Sequence, residues 1–299
     1  MVHNHSFHNE KNRKSKRFFI IIILNLLISF VEIAAGVISG SLALISDAFH
    51  NFQDTLSVVI TFLAWRLSFK TPTESKTYGY KRAEIIAAFV NSIFLISLSI
   101  FIIAEAIKRF YKPHVIDDFL MISMAFFAFV ANIISAFMLH KDSFHNINFK
   151  SAYLHMLGDA FFSLIVIVGA FSIGRWNIYW IDPLLSVGMS FFIIYQSLPI
   201  LLKSFNILMQ SAPALNYDKI KQDIEKVAGV KNIHHVHCWL NNEETVYFEA
   251  HVEIEDCMVS KSCEISFEVE KILKEKYGIY HTTLQFETDR CKRKEMFYI

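Results

Sequence analysis

Two segments of the chain place a histidine four residues ahead of an aspartate, each inside a long apolar run. Leu-Ile-Ser-Asp-Ala-Phe-His-Asn-Phe-Gln-Asp carries His50 and Asp54, and Tyr-Leu-His-Met-Leu-Gly-Asp carries His155 and Asp159. At 3.6 residues per turn, positions i and i+4 lie one above the other on a single helix face. Each helix therefore offers one imidazole nitrogen and one carboxylate to the same side, and two such helices facing each other supply four N/O ligands. That set suits a tetrahedral Zn²⁺ site. Mg²⁺ and Ca²⁺ prefer more oxygens and no imidazole, Mn²⁺ tolerates fewer nitrogens, and Co²⁺, Ni²⁺ and Fe²⁺ remain open on ligand softness alone. A metal-bound imidazole must be neutral, so loading the ion is coupled to protons, which is a physical route to metal-for-proton exchange.

An ionisable residue at mid-membrane costs at least about 2.5 kcal/mol, so each one needs a reason. A single His-xxx-Asp pair fits a structural hydrogen bond equally well; two with the same spacing in one chain are much harder to dismiss. Asp47, three residues before His50, reads as a group supporting the ligands or packing the helix. Asn25, Glu32, Asn91 and Asn132 read as interhelical hydrogen-bonding or pathway-lining residues, and Gly36, Gly158 and Gly169 as points of close helix approach.

The elements that must position these groups follow from composition. The 299 residues are 54% hydrophobic and 19% charged, below the roughly one quarter charged of a soluble enzyme. The apolar fraction excludes a disordered chain. Four cysteines, the first at Cys238, exclude a disulfide scaffold and fit a reducing compartment. Residues 1–205 hold 17 Lys/Arg against 12 Asp/Glu, and residues 206–299 hold 12 against 16, so a formal +5 and a formal −4 hide behind the net +1. A membrane helix needs about 20 mostly apolar residues. Six stretches qualify, near Phe18–Ile38, Leu42–Trp65, Ile85–Ile107, Phe119–Leu139, Ala152–Ile173 and Ile181–Leu202. The first is too long for a cleaved signal peptide. Eleven Lys/Arg in the N-terminal tail and the second and fourth loops, against four in the third and fifth, place both termini in the cytoplasm. The expected domains are a His-containing tail over 1–17, a six-helix membrane domain over 18–205 and a cytoplasmic regulatory and dimerisation domain over 206–299.

Ser41-Leu-Ala-Leu-Ile-Ser-Asp-Ala-Phe-His-Asn-Phe-Gln-Asp54, Tyr78-Gly-Tyr-Lys-Arg-Ala-Glu84, Ser151-Ala-Tyr-Leu-His-Met-Leu-Gly-Asp159 and Trp180-Ile-Asp-Pro183 resemble the cation diffusion facilitator family, its zinc-exporting branch above all. The resemblance covers nearly the whole chain after the N-terminal tail. It implies a transport site on the second and fifth helices with His50, Asp54, His155 and Asp159 as ligands. It also implies exchange of cytoplasmic divalent metal for external protons by alternating access, in a homodimer, and the compact form is similar to bacterial plasma-membrane members. Some members carry a further site in the loop between helices two and three; here Thr71-Pro-Thr-Glu-Ser-Lys-Thr77 offers only Glu74. The loop between helices four and five is short, with His140 and His145. His3, His5 and His8 read first as a flexible polar tail and second as a low-affinity metal-capturing cluster.

Residues 206–299 read as a small α+β unit of order αββαβ: a helix over Tyr217–Val227, strands over Ile233–Leu240 and Thr245–Ile254, a helix over Cys263–Tyr277 and a strand over His281–Glu287. This order resembles the metallochaperone-like cytoplasmic domain of the same family. Strand alternation sends Val246, Phe248, Ala250, Val252 and Ile254 to the core and leaves His251 opposite. The same parity puts His237, His281 and Glu287 on that open face, a set suiting one metal site or a dimer interface, while His234 falls out of phase unless a strand edge rescues it. Exposed histidines on a polar sheet are the plainer reading. Cys263 and Cys291 read as buried thiols before spare soft ligands.

The leading function is a secondary transporter exporting Zn²⁺ by proton antiport, with Co²⁺, Cd²⁺ or Fe²⁺ as the runner-up substrate. An intramembrane metalloenzyme would need an open coordination position and a general base, and no His-Glu-x-x-His occurs. A membrane metal sensor would need an output domain for which the tail leaves little room. Neither an organic cofactor nor a nucleic-acid partner is expected.

Overall fold

A computed structural model describes residues 22–144 and 147–297. His3, His5, His8 and His145, and with them the expected 1–17 tail, lie outside the described residues. The chain divides into two compact units. One runs to Phe62 and resumes over Val90–Pro199; the other takes Leu63–Phe89 and Ile200–Ile299.

The long helices are α1 (Ile22–Ser39), α2 (Leu42–Ser68), α3 (Ala83–Tyr111), α4 (Asp118–Ser143), α5 (Ile147–Trp176) and α6 (Ile181–Leu208). Five of them are long and apolar enough throughout to cross a membrane. The exception, α2, has 27 residues and so about 40 Å of length, but Asp47, His50, Gln53 and Asp54 dilute its apolar character. A helix that spends its apolar residues outward and its polar ones inward is the membrane pattern. Phe94, Phe101, Phe126, Phe137, Phe161 and Phe191 are exposed, whereas Ser29, Ser46, Ser163, Ser186 and Ser190 are buried. Small residues let the backbones approach: a Cβ on Gly36 would sit 2.6 Å from the Ile45 side chain, and one on Gly169 would sit 2.5 Å from Leu185. Gly158 faces open space. The apolar core of this unit joins Ala35, Leu44, Met121, Ala125, Val166, Ala170 and Met189 from five helices.

The expected αββαβ order is present in the tail as α7 (Tyr217–Ile224), β1 (Val230–Leu240), β2 (Val246–Ile254), α8 (Val259–Tyr277) and β3 (His281–Glu287). Asn216 caps α7 by accepting from the Lys219 amide at 3.0 Å. Gly278, in the left-handed region at φ 69°, ends α8 with its N–H on the Leu273 and Lys274 carbonyls. The strands lie in the order β1-β2-β3; β1 and β2 are antiparallel, and β2 and β3 are parallel, with α8 as the crossover. The alternation read from the sequence holds for the core: Phe248, Ala250 and Val252 pack with Ile220 and Ile224 of α7 and Ile265, Val269 and Leu273 of α8. Beside them Asp223 takes hydrogen bonds from Lys276 (2.9 Å), Lys226 (3.0 Å) and the Tyr277 hydroxyl (3.1 Å). Lys276, then Lys226, hold its carboxyl well below the usual aspartate range, and burial, then Asp223, pushes the Tyr277 hydroxyl up to about 12.

Candidate metal centre

The α2 helix begins at a defined point because a residue on another helix caps it. Asp182, fully buried near the start of α6, accepts the Ser41 hydroxyl at 2.6 Å, the Leu42 amide at 2.9 Å and the Ala43 amide at 3.0 Å. Its carboxylate satisfies N–H groups that an α-helix leaves without internal partners, and its charge complements the helix dipole. Further polar ties fix α2 laterally. The Asn51 amide donates to Glu32 of α1 at 3.2 Å, the Ser163 hydroxyl of α5 donates to Asp47 at 3.3 Å, and Asn91 of α3 donates to Ser57 at 2.7 Å. Asn25 of α1 donates to the Met156 sulfur of α5 at 3.9 Å. Asp47 thus acts as a strut between the two histidine-bearing helices. The Asn132 amide nitrogen is buried without a hydrogen-bond partner.

One and a half turns beyond Asp47, the four residues singled out by their spacing come together. His50 Nε2 lies 3.7 Å from Asp54 Oδ2 and 3.7 Å from Asp159 Oδ1. His155 Nε2 lies 3.0 Å from Asp54 Oδ2 and 3.7 Å from Asp159 Oδ2. The imidazole rings are 6.1 Å apart and nearly perpendicular. His50, Asp54 and Asp159 form the tightest group, with ligand atoms all within 4.8 Å of one another; His155 joins through both carboxylates. Asp159 Oδ2 is a buried oxygen with no hydrogen-bond partner, and Asp54 Oδ2 is buried with only the His155 imidazole beside it. Lone pairs left over between two imidazoles are what a cation would take up. Exposure is uneven: the His50 and Asp159 side chains are 8% and 3% exposed, and those of Asp54 and His155 are 30% and 40%. The site therefore has a closed wall, to which Phe192 of α6 adds its ring 6.4 Å from His50, and an open side on Asp54 and His155.

A second group lies wholly in the tail domain: His234, His251 and Glu287 of the sheet and Cys291 just after it, with one ligand atom from each within 4.8 Å of the others. His234 Nε2 is 3.0 Å from Glu287 Oε1, and His251 Nδ1 is 3.4 Å from Glu287 Oε2. Burial pushes the Glu287 carboxyl up, but the Cys291 thiol and the two imidazoles outweigh it and hold the group below the usual glutamate range. Of the four tail residues expected to share a site, His251 and Glu287 meet and His237 and His281 do not. The reasons are geometric. A β-bulge breaks the register between His234 and His237, with His235 at φ 51°, and the extra residue reverses the alternation, so that His234 faces His251 directly. His237 pairs instead with Glu249. His281 opens β3 and Glu287 closes it, which separates them by about 20 Å at the usual rise per residue, and the His281 ring rests 4.2 Å from that of Tyr247. From the sequence, His234 is set aside as out of phase unless a strand edge rescues it, and Cys291 ranks as a buried thiol before a soft ligand. A bulge carries little signal in one sequence, and Cys291 lies past the last strand; the adjacent pair His234 and His235 was the available hint.

The family model described as the cation efflux transmembrane domain matches residues 18–209, and that of the cation efflux protein cytoplasmic domain matches residues 212–289. The chain belongs to the cation efflux family. It is thus a multi-pass membrane transporter rather than an enzyme, as its paired motifs led one to expect. Among relatives of this cation efflux protein, a zinc transporter ZitB of Pectobacterium atrosepticum is 33% identical over 97% of this chain and 90% of its own length. A cadmium, cobalt and zinc/H(+)-K(+) antiporter of Bacillus velezensis is 32% identical over 96% and 92%. A solved structure, the metal-bound C-terminal domain of the CzcD transporter from Cuprividus metallidurans, is 29% identical over 24% of this chain and 99% of its own, at a TM-score of 0.23.

Proposed function

We propose that this cation efflux protein exports Zn²⁺ from the cytoplasm in exchange for protons by alternating access, as a homodimer in a bacterial plasma membrane. The observation that carries the reading is the convergence of His50 and Asp54 on α2 with His155 and Asp159 on α5, around buried carboxylate oxygens whose near polar neighbours, among the described residues, are the two imidazoles. Cytoplasmic Zn²⁺ displaces protons from the two imidazoles and is chelated by the two carboxylates. The helices then re-pack so that the site opens outward, and external protons compete for the imidazoles and release the ion. The zinc in the names of both relatives supports Zn²⁺, and the antiporter's name supports Cd²⁺ and Co²⁺ as runners-up, with Fe²⁺ behind them.

Both termini face the cytoplasm in this reading, on the Lys/Arg distribution. Residues 18–205 carry transport, residues 206–299 dimerise and regulate, and the N-terminal 1–17 forms a polar cytoplasmic tail. In the tail domain His234, His251 and Glu287 hold a regulatory metal that tightens the dimer. The buried ring nitrogens of His234, which have no hydrogen-bond partner, support that placement. The test is zinc-driven proton flux in proteoliposomes containing a pH-sensitive dye. Asp54→Ala and Asp159→Ala are expected to abolish exchange while the protein stays folded; wild-type transport by either variant would remove the four-ligand site.

A further inference from the structure

The sheet order is β1-β2-β3, yet the segment leaving β3 ends on β1. The His235 and Val236 amides, at the bulge, donate to the Glu295 carbonyl at 3.2 Å and the Met296 carbonyl at 2.8 Å. Lys294 reaches Glu253 of β2 at 2.9 Å, Met296 packs against the tail core, and the Phe297 ring sits 5.3 Å from that of Tyr217. Residues 288–297 therefore form a strap that crosses β2, and Cys291 lies on it. Its sulfur stands 3.3 Å from Glu287 Oε2 and 3.5 Å from His251 Nδ1. This thiol is only partly buried and touches a carboxylate and an imidazole, which is not the setting of a cysteine that merely fills a core. Opposite it His234 is fully buried, with neither ring nitrogen hydrogen-bonded and Nε2 turned to the same carboxylate at 3.0 Å.

We infer that Cys291 is a thiolate ligand of the tail-domain metal site, completing His234, His251 and Glu287, and that the bound ion clamps the C-terminal strap onto the sheet. Zinc–nitrogen and zinc–sulfur bonds of about 2.0–2.3 Å put tetrahedral ligand atoms about 3.4–3.8 Å apart. The close contacts, 3.0–3.5 Å to the two Glu287 oxygens and between Cys291 and His251, bracket the short end of that spacing, and all four ligand atoms lie within 4.8 Å of one another. A thiolate beside two imidazoles and one carboxylate selects Zn²⁺, Cd²⁺ and Co²⁺ over the harder Mn²⁺ and Mg²⁺. Binding releases the thiol proton to water, and the site closes within a single tail domain. The transport site offers no sulfur, so the two sites of one chain differ in the softness of what they prefer.

The inference rests on the tail group being a metal site, and the experiment separates the two statements. Full-length protein in detergent is titrated with Co²⁺ and read by absorbance, because only thiolate ligation gives a sulfur-to-cobalt charge-transfer band. The band is expected in wild type, in Cys257→Ser and in Cys263→Ser, and is expected to vanish in Cys291→Ser. Cobalt bound with a stoichiometry that falls by one in His251→Ala, but with no such band in wild type, overturns the thiolate and leaves the metal site standing. An unchanged stoichiometry in His251→Ala removes the tail site and the inference together. Zn²⁺ should also slow alkylation of Cys291 by about tenfold or more while leaving Cys257 unchanged, since coordination ties up the nucleophilic thiolate. It should slow hydrogen exchange at the His235 and Val236 amides in wild type but not in Cys291→Ser. Equal alkylation of Cys291 with and without Zn²⁺, or equal exchange of those amides in the two proteins, also defeats it.

Discussion

Replacing Asp182 with alanine removes no proposed ligand, yet it should disable transport. The carboxylate takes three donors at the start of α2, two of them backbone amides inside a membrane domain. The Ser41 hydroxyl can rotate to another acceptor, and its oxygen still receives the Leu44 amide at 3.1 Å. The Leu42 and Ala43 amides have no such freedom. Each buried donor left unsatisfied costs about 1–3 kcal/mol, so the substitution should cost about 2–6 kcal/mol. Asp182→Asn keeps an acceptor oxygen and should cost roughly half as much, because it loses the charge that complements the helix end. Such a cost lets the first turn of α2 fray, and that turn sets the height at which His50 and Asp54 meet α5. Misplacing positioned groups by about 1 Å can cost on the order of 100-fold in rate. The assay is paired: thermal unfolding in detergent, and zinc flux in proteoliposomes. The expected order in both is wild type above Asp182→Asn above Asp182→Ala, with flux falling at least about tenfold in the alanine variant. An Asp182→Ala protein with wild-type midpoint and wild-type flux would refute the capping role.

The tail domain gives further tests. Phe248 is fully buried in the tail core, so Phe248→Ala should cost about 3–5 kcal/mol, read as a lowered unfolding midpoint of that domain. Asp223 has a folded-state pKa below its ordinary value of 3.8, so the stability it contributes is present above that value and lost as pH falls through the folded value; Asp223→Asn should flatten the acid side of the tail's stability profile, and an unchanged profile would contradict the ion cluster. Zinc at about 100 times its dissociation constant should stabilise the tail by about 2.7 kcal/mol, with His251→Ala cancelling the gain and a chelator reversing it in wild type.

The convergence of the two His–Asp pairs was legible because helical spacing is a strong local rule. His50 and Asp54, or His155 and Asp159, share a face wherever the helix forms, and burying such groups in an apolar run already demands a purpose. The tail core was legible for the same kind of reason, since the alternation around Phe248 survives in the sheet. The tail cluster was only half legible. Its face was right, but one inserted residue at His235 exchanged His237 for His234, and His281 lies at the opposite end of the same strand from Glu287, too far to share one site. A bulge leaves no periodicity that a single sequence displays. Asp182 was visible as part of Trp180-Ile-Asp-Pro183, but its work is done across 140 residues of chain, on the Leu42 amide, where local patterns have no reach.

His50 and Asp54 ride on one rod, and His155 and Asp159 on another. The helix backbone keeps the two members of each pair on one face, one turn apart. The ion's environment then depends on a single variable, the separation of the rods. In the proposed mechanism they would hold the ion with four atoms together and with two once parted, which is a poor substitute for a hydration shell. Under the proposed mechanism, parting the two helices would itself be the step that releases the ion.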